Sequence, residues 1–130
     1  MIYIDTSAFY AIIDQDDGYH ESAKRTWVSL IMEKESLACN NYVLVETIAL
    51  LQNRFGMNAV LDLQKMLPLL SIDWIAAEQH RFAVAMLISV NRRQMSLVDC
   101  SSFDTMQRLG INTVFTFDKH FGEHGFEIIP

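Results

Sequence analysis

Short apolar runs that alternate with longer helix-period segments constrain this 130-residue chain more than any other feature. Ile2-Tyr3-Ile4, Ser36-Leu37-Ala38-Cys39, Leu69 to Ile72, Thr113-Val114-Phe115-Thr116 and a weaker Phe126 to Ile129 have the length and character of buried strands. Between them the apolar spacing predicts helices over Thr6 to about Ile13, His20 to about Lys34, Asn41 to about Phe55, Asn58 to Leu67, and Ala76 to Val90. A further helix is led in by Ser96 to Asp99 and ends near Gly110. The boundaries have chemical reasons. Asp14-Gln15-Asp16-Asp17-Gly18 is a polar turn, Asn40 or Asn41 caps a helix that Gly56 ends, and Pro68 stops the next. Strands separated by helices imply an α/β sandwich around a mainly parallel sheet. In such folds ligands bind at the carboxyl ends of the strands, so residues just past each strand carry the functional question. With no linker, repeat or low-complexity tract, residues 1–130 are expected to form one domain.

Acidic residues stand at those places. Asp5 directly follows the first strand, Asp118 follows the Thr113 to Thr116 strand by one residue, and Asp99 closes Ser96-Leu97-Val98 and opens a helix. Each alone is explained as a helix cap. Glu46 is different, because it lies within Tyr42-Val43-Leu44-Val45-Glu46-Thr47-Ile48-Ala49-Leu50-Leu51, a helix apolar on most faces. A buried carboxylate needs a cation, a proton or a hydrogen-bond cage, and Arg54 is its candidate partner. Three aspartates at strand-to-helix junctions and one glutamate, gathered at one end of a parallel sheet, would repel one another unless a cation neutralised them. Oxygen-only donors select Mg²⁺ or Mn²⁺ and leave room for water and a phosphate, the equipment of metal-assisted phosphodiester hydrolysis.

Composition narrows the field less. A formal charge of −6 argues against coating nucleic acid by bulk positive charge, yet allows a local basic rim. Arg92, Arg93 and Lys119, with Arg54, are candidates for such a rim. Cys39 and Cys100 sit in apolar surroundings without metal-ligand spacing and read as buried free thiols. No apolar run reaches membrane-span length, and Met1-Ile2-Tyr3-Ile4-Asp5 lacks a basic leader, so a cytoplasmic protein is expected. His120 and His124 have a zinc-compatible spacing, but Gly122 interrupts it and HExxH is missing, so both read as surface or capping residues. His20 reads as structural. The seven methionines read as core filling, and no glycine-rich phosphate loop is present.

The ordered set of segments resembles a known family. Ile2-Tyr3-Ile4-Asp5-Thr6-Ser7-Ala8 is similar to the opening motif of PIN domains, and Asp16-Asp17-Gly18-Tyr19-His20-Glu21-Ser22-Ala23 with Trp27 to their second segment. Asn41-Tyr42-Val43-Leu44-Val45-Glu46-Thr47 carries the family's glutamate, and Ser96-Leu97-Val98-Asp99-Cys100-Ser101-Ser102-Phe103 its third acidic motif. Phe115-Thr116-Phe117-Asp118-Lys119-His120-Phe121, followed by Gly125-Phe126, resembles the closing motif. The resemblance spans essentially the whole chain and is closest to the VapC toxin type. It implies a three-layer sandwich around a five-stranded parallel sheet, and endoribonuclease cleavage leaving a 5′-phosphate and a 3′-hydroxyl. Asp5, Glu46, Asp99 and Asp118 would hold one or two Mg²⁺ or Mn²⁺ ions, with Thr6, Ser7 and Thr116 positioning carboxylates or water by hydrogen bonds. It also implies an RNA substrate, a homodimer and a small antitoxin partner. Two other readings stay open: a PIN-fold docking module without turnover, and a phosphohydrolase with Asp5 as nucleophile. The second is weakened because Ser7 stands where such enzymes carry another aspartate.

Overall fold

The computed structural model describes all residues, Met1–Pro130. Its elements run β1 (Ile2–Ile4), α1 (Thr6–Ile13), α2 (His20–Met32), β2 (Leu37–Asn40), α3 (Asn41–Phe55), α4 (Met57–Met66), a 3₁₀ turn at Leu67–Leu69 and β3 (Leu70–Asp73). Then follow α5 (Ala77–Val90), α6 (Leu97–Leu109), β4 (Thr113–Phe115), α7 (His120–Glu123) and β5 (Glu127–Ile129). The sheet has the order β3-β2-β1-β4-β5, with every pairing parallel. The chain thus builds outward from β1 on one side, then returns through α5 and α6 to lay β4 against the other side. That reversal places a topological switch between β1 and β4, where the loops leave in opposite directions and a crevice opens. Seven helices flank the sheet, the α/β sandwich expected from the alternation of runs.

Burial explains why β1 is central. Tyr3 and Ile4 are fully enclosed, as are Val114 and Phe115 on the neighbouring strand. These join Phe9, Val43, Leu51, Leu63, Phe103, Met106 and Phe121 in one continuous core. Helix α6 is buried along Cys100 to Met106, including four polar residues, Ser101, Ser102, Asp104 and Thr105. Such a helix is tolerable only if the polar groups are paired, and they are. Ser102 Oγ accepts from the Tyr3 hydroxyl at 2.9 Å, and Asn40 Nδ2 donates to Ser101 and Thr105 at 3.1 and 3.2 Å. Thr105 in turn donates to Asp73, and Arg108 bridges Asp73 and Asp104. The network ties α6 to the carboxyl ends of β2 and β3.

Several boundaries differ from the sequence reading. Helix α2 stops at Met32, because the chain turns through a left-handed Lys34 at φ +56°. Pro68 lies inside the 3₁₀ turn rather than ending α4 directly. Ser96-Leu97-Val98 does not lead in as an extended run ending at Asp99. Ser96 is the N-cap of α6 and Asp99 its third helical residue, so Asp99 is not at a strand-to-helix junction. The reading of all seven methionines as core is also too broad. Met66, Met95 and Met106 are buried, but Met32 and Met57 face solvent.

Candidate active site

Asp5, Glu46, Asp99 and Asp118 line a single cleft of about 600 Å³ at the carboxyl end of β1 and β4. Each arrives by a different local device. Asp5 is the residue between β1 and α1 and serves as the N-cap of α1; only 5% of its surface is exposed. Glu46 projects from α3, whose N-terminus is fixed by Asn40 Oδ1 accepting from the Val43 amide at 2.9 Å. Asp99 is held in a capping box. Its Oδ2 accepts from the Ser96 amide, and its own amide donates to Ser96 Oγ, both at 3.0 Å. Asp118 follows β4, and its Oδ1 accepts from the His120 amide at 3.0 Å. The N-cap explanation is therefore correct for Asp5 alone, since Asp99 stands three residues past the cap Ser96 and closes its capping box, and it is compatible with the shared cleft.

Two hydroxyls organise the floor. Ser7 Oγ and Thr116 Oγ1 both donate to Asp5 Oδ2, at 3.0 and 2.9 Å. With their protons committed there, the same oxygens accept from the Phe117 and Asp118 amides, each at 3.0 Å. Asp5 thus holds the loop that carries Asp118. Thr6 Oγ1 is buried and turned toward Glu46, near enough to hold that carboxyl down but short of the geometry of a full hydrogen bond.

The electrostatics are one-sided. Five carboxylates line the cleft (the four above and Asp17) against one basic side chain, Arg54. The alternative in which Glu46 pairs with Arg54 is not met, and Glu46 is half-buried rather than enclosed. Burial pushes the Asp5 carboxyl up to about 6, against its hydrogen bonds from Thr116 and Ser7 and with the help of the Asp99 charge. Burial also raises Glu46, opposed by the nearby Thr6 hydroxyl and reinforced by Asp99. Asp99 is raised by burial too, opposed by Ser96 and reinforced by Asp118. Mutual repulsion among uncompensated carboxylates calls for a cation. As they stand, no three of them converge on one coordination point, because the aspartates turn onto hydroxyl and amide partners. The donor set is nonetheless all oxygen, and it fits a hard divalent ion rather than zinc or copper.

The remaining candidates scatter. Arg92, Arg93 and Lys119 are exposed and lie outside the cleft lining, and Arg92 faces Glu123 at 3.8 Å. His20 is structural, its Nδ1 2.8 Å from the Ala11 carbonyl. His124 stacks on Phe103, with ring centroids 4.1 Å apart. Both cysteines are free and buried. Two features escaped the sequence reading. His120 Nδ1 stands 2.8 Å from Asp118 Oδ1, off the line of a hydrogen bond, so the contact is an ion pair only when the imidazole is protonated. Its position two residues after Asp118 was the available signal. The second is an aromatic pair on the cleft wall, Tyr19 with Phe117.

Comparison with known proteins gives a consistent picture. The profile of the PIN domain family matches residues 2–127. The chain is 32% identical, over 100% of its length and 99% of theirs, to proteins named 23S rRNA-specific endonuclease VapC20 from two strains of Mycobacterium tuberculosis. Among solved structures it is similar to that of Mycobacterium tuberculosis VapC20, described as a sarcin-ricin loop cleaving toxin. That similarity has a TM-score of 0.88 and 30% identity, and it covers all of both chains.

Proposed function

The chain belongs to the PIN-domain family, and from that premise we propose that it is a divalent-metal-dependent endoribonuclease, the toxin of a VapBC-type toxin–antitoxin pair. The observation that carries this reading is the single cleft lined by Asp5, Glu46, Asp99 and Asp118, each from a different element, with almost no basic compensation. All of residues 1–130 act as one PIN unit. The docking-module alternative would have no use for four carboxylates whose repulsion weakens the fold.

Asp5, Glu46, Asp99 and Asp118 would hold Mg²⁺ or Mn²⁺, which when bound supplies Lewis acidity for water and for the phosphoryl oxygens. The chain's own residues do the rest. Ser7 and Thr116 fix one Asp5 oxygen, so its other oxygen has a defined direction. The Ser96 capping box fixes Asp99 in the same way. Thr116 also sets the backbone of Asp118. Arg54, on the cleft wall, is the cation positioned to meet a substrate phosphate. Arg92, Arg93 and Lys119 contribute more distantly, if the RNA path extends past the cleft.

The partner expectations follow from the same reading. A copy of the chain and a small antitoxin cover the apolar residues that α3 and α4 leave exposed, among them Val45, Phe55, Met57 and Leu61. An antitoxin segment bearing a basic residue would complement the acidic cleft. No helix is long and apolar enough to cross a membrane, and a cytoplasmic site of action fits an RNA substrate.

The test is an RNA digestion. Large-subunit ribosomal RNA and a hairpin carrying its sarcin–ricin loop are incubated with the protein in Mn²⁺, in Mg²⁺ or in EDTA. The proposal expects cuts in metal only, with 5′-phosphate and 3′-hydroxyl ends. Cleavage that persists in EDTA, or no cleavage of any RNA with either metal, would contradict it.

A further inference from the structure

The turn between α1 and α2 presents an aromatic ring with no structural use. Tyr19 lies nearly parallel to Phe117, with centroids 4.5 Å apart and planes at 13°, and both rings line the acidic cleft. Phe117 is pinned from elsewhere by an edge contact with the buried Phe115, so Tyr19 is the outer member. Tyr19 is 57% exposed and its hydroxyl makes no hydrogen bond. A large ring stacked on one face and open on the other does little for the core.

The backbone that carries the ring is also held in place. The Tyr19 amide donates to Asp17 Oδ1 at 2.8 Å, and the Asp16 amide to Asp14 Oδ1 at 2.9 Å. His20, the next residue, is tied back to the Ala11 carbonyl. On the other side, the Phe117 amide donates to Ser7 Oγ, the same hydroxyl that donates to Asp5. The aromatic pair is therefore one hydrogen-bonded link from the central carboxylate. A rigid platform loses little entropy on binding.

Charge says what such a platform would take. The cleft carries five carboxylates and one arginine, so phosphates are repelled wherever no cation stands. Away from Arg54 and a bound cation, affinity for RNA must then come from contacts indifferent to charge, and stacking of an unpaired base on an aromatic ring is such a contact. Building on the endoribonuclease reading, we propose that the Tyr19–Phe117 stack is a nucleobase subsite, in which one unpaired base beside the scissile phosphate stacks on the open face of Tyr19. The subsite restricts cleavage to looped or single-stranded RNA, because a base in a duplex has no free face.

The experiment compares wild type, Tyr19→Ala and Tyr19→Phe on a loop-bearing RNA hairpin in Mn²⁺. A single abasic nucleotide is scanned through the positions flanking the cut, and hairpin binding is followed by anisotropy alongside cleavage. Tyr19→Ala is expected to raise KM roughly 5- to 150-fold, the range of base–aromatic stacking, with kcat within a few-fold. Tyr19→Phe should restore KM. At one flanking position the abasic substitution should raise KM for wild type and Tyr19→Phe but add nothing for Tyr19→Ala. A wild-type KM in Tyr19→Ala, or additive abasic penalties at every position, would overturn the subsite while leaving the nuclease reading intact. Loss of antitoxin binding by Tyr19→Ala with unchanged cleavage would also overturn it, giving the ring to a protein partner. A hairpin bound through Tyr19 but not cut would overturn the nuclease reading alone. No binding by the wild type overturns both.

Discussion

At the scale of single residues, Asp5 makes the sharpest statement, because its carboxyl sits at about 6 when the ordinary value is 3.8. Below the ordinary value the group is protonated in folded and unfolded chains alike, and contributes nothing. As pH rises from there to about 6 the unfolded chain ionises while the folded one keeps its proton, so metal-stripped protein loses stability. The loss reaches about 3 kcal/mol once both states are ionised, less whatever the neighbouring carboxylates share. Urea unfolding in EDTA should therefore show Asp5→Asn gaining on wild type between pH 4 and pH 7.5. Parallel stability curves would contradict the assignment. Cys39 gives a second check, since burial pushes its thiol up to about 12. The native protein should resist iodoacetamide at pH 8 and take up two equivalents in denaturant; rapid native labelling would place a thiol in solvent. Asp5 and Asp118 were legible because each follows a strand, and Glu46 because it interrupts an apolar helix. The roles of Ser7 and Thr116 were legible only as possibilities, because a hydroxyl caps turns as readily as it orients a carboxylate.

At the scale of elements, α6 carries both the fold and the site. Asn40 caps α3 and donates to two buried hydroxyls of α6, so Asn40→Ala removes a cap and leaves polar groups unpaired. A loss of about 2–4 kcal/mol is expected in chemical denaturation. A change under 1 kcal/mol would mean that water replaces the side chain at no cost. Ser96→Ala should cost less, about 1 kcal/mol, but should also weaken Mn²⁺ binding because Asp99 loses its brace. Calorimetric titration with Mn²⁺ gives that answer, and unaltered affinity would detach the capping box from the site. The alternation of strands and helices could be read directly, because run length and period differ so clearly. Asp99 was misplaced for the opposite reason. Ser96-Leu97-Val98 is too short to show a period, and the decisive signal was a serine three residues ahead of an aspartate, the spacing of a capping box. The polar lining of α6 was equally hidden, since Ser101, Ser102 and Thr105 look like a solvated face until Tyr3, Asn40 and Asp73 are brought against them.

At the scale of the whole molecule, the sheet order makes a site of residues that lie up to 113 positions apart, from Asp5 to Asp118. Strand order depends on long-range pairing that local pattern does not encode. The order itself was not legible in the sequence, and the resemblance implied only a five-stranded parallel sheet. Saturating divalent metal should stabilise the folded chain by about 2.7 kcal/mol at a hundredfold excess over Kd, and Asp99→Asn should forfeit most of that gain. A copy-to-copy interface over α3 and α4 predicts about twice the 14.9 kDa chain mass by light scattering, and a monomer at high micromolar concentration would leave those apolar residues unexplained. The central claim is that four carboxylates from four elements act as one site on RNA. Its most direct measurement is single-turnover cleavage of a loop-bearing RNA in saturating Mn²⁺ by wild type and by folded Asp5→Asn, Glu46→Gln, Asp99→Asn and Asp118→Asn. Each substitution should slow cleavage on the order of a hundredfold or more, about 2.7 kcal/mol of lost transition-state stabilisation. Wild-type rates in any one of the four would remove that residue from the site, and wild-type rates in Asp5→Asn would contradict the account as a whole.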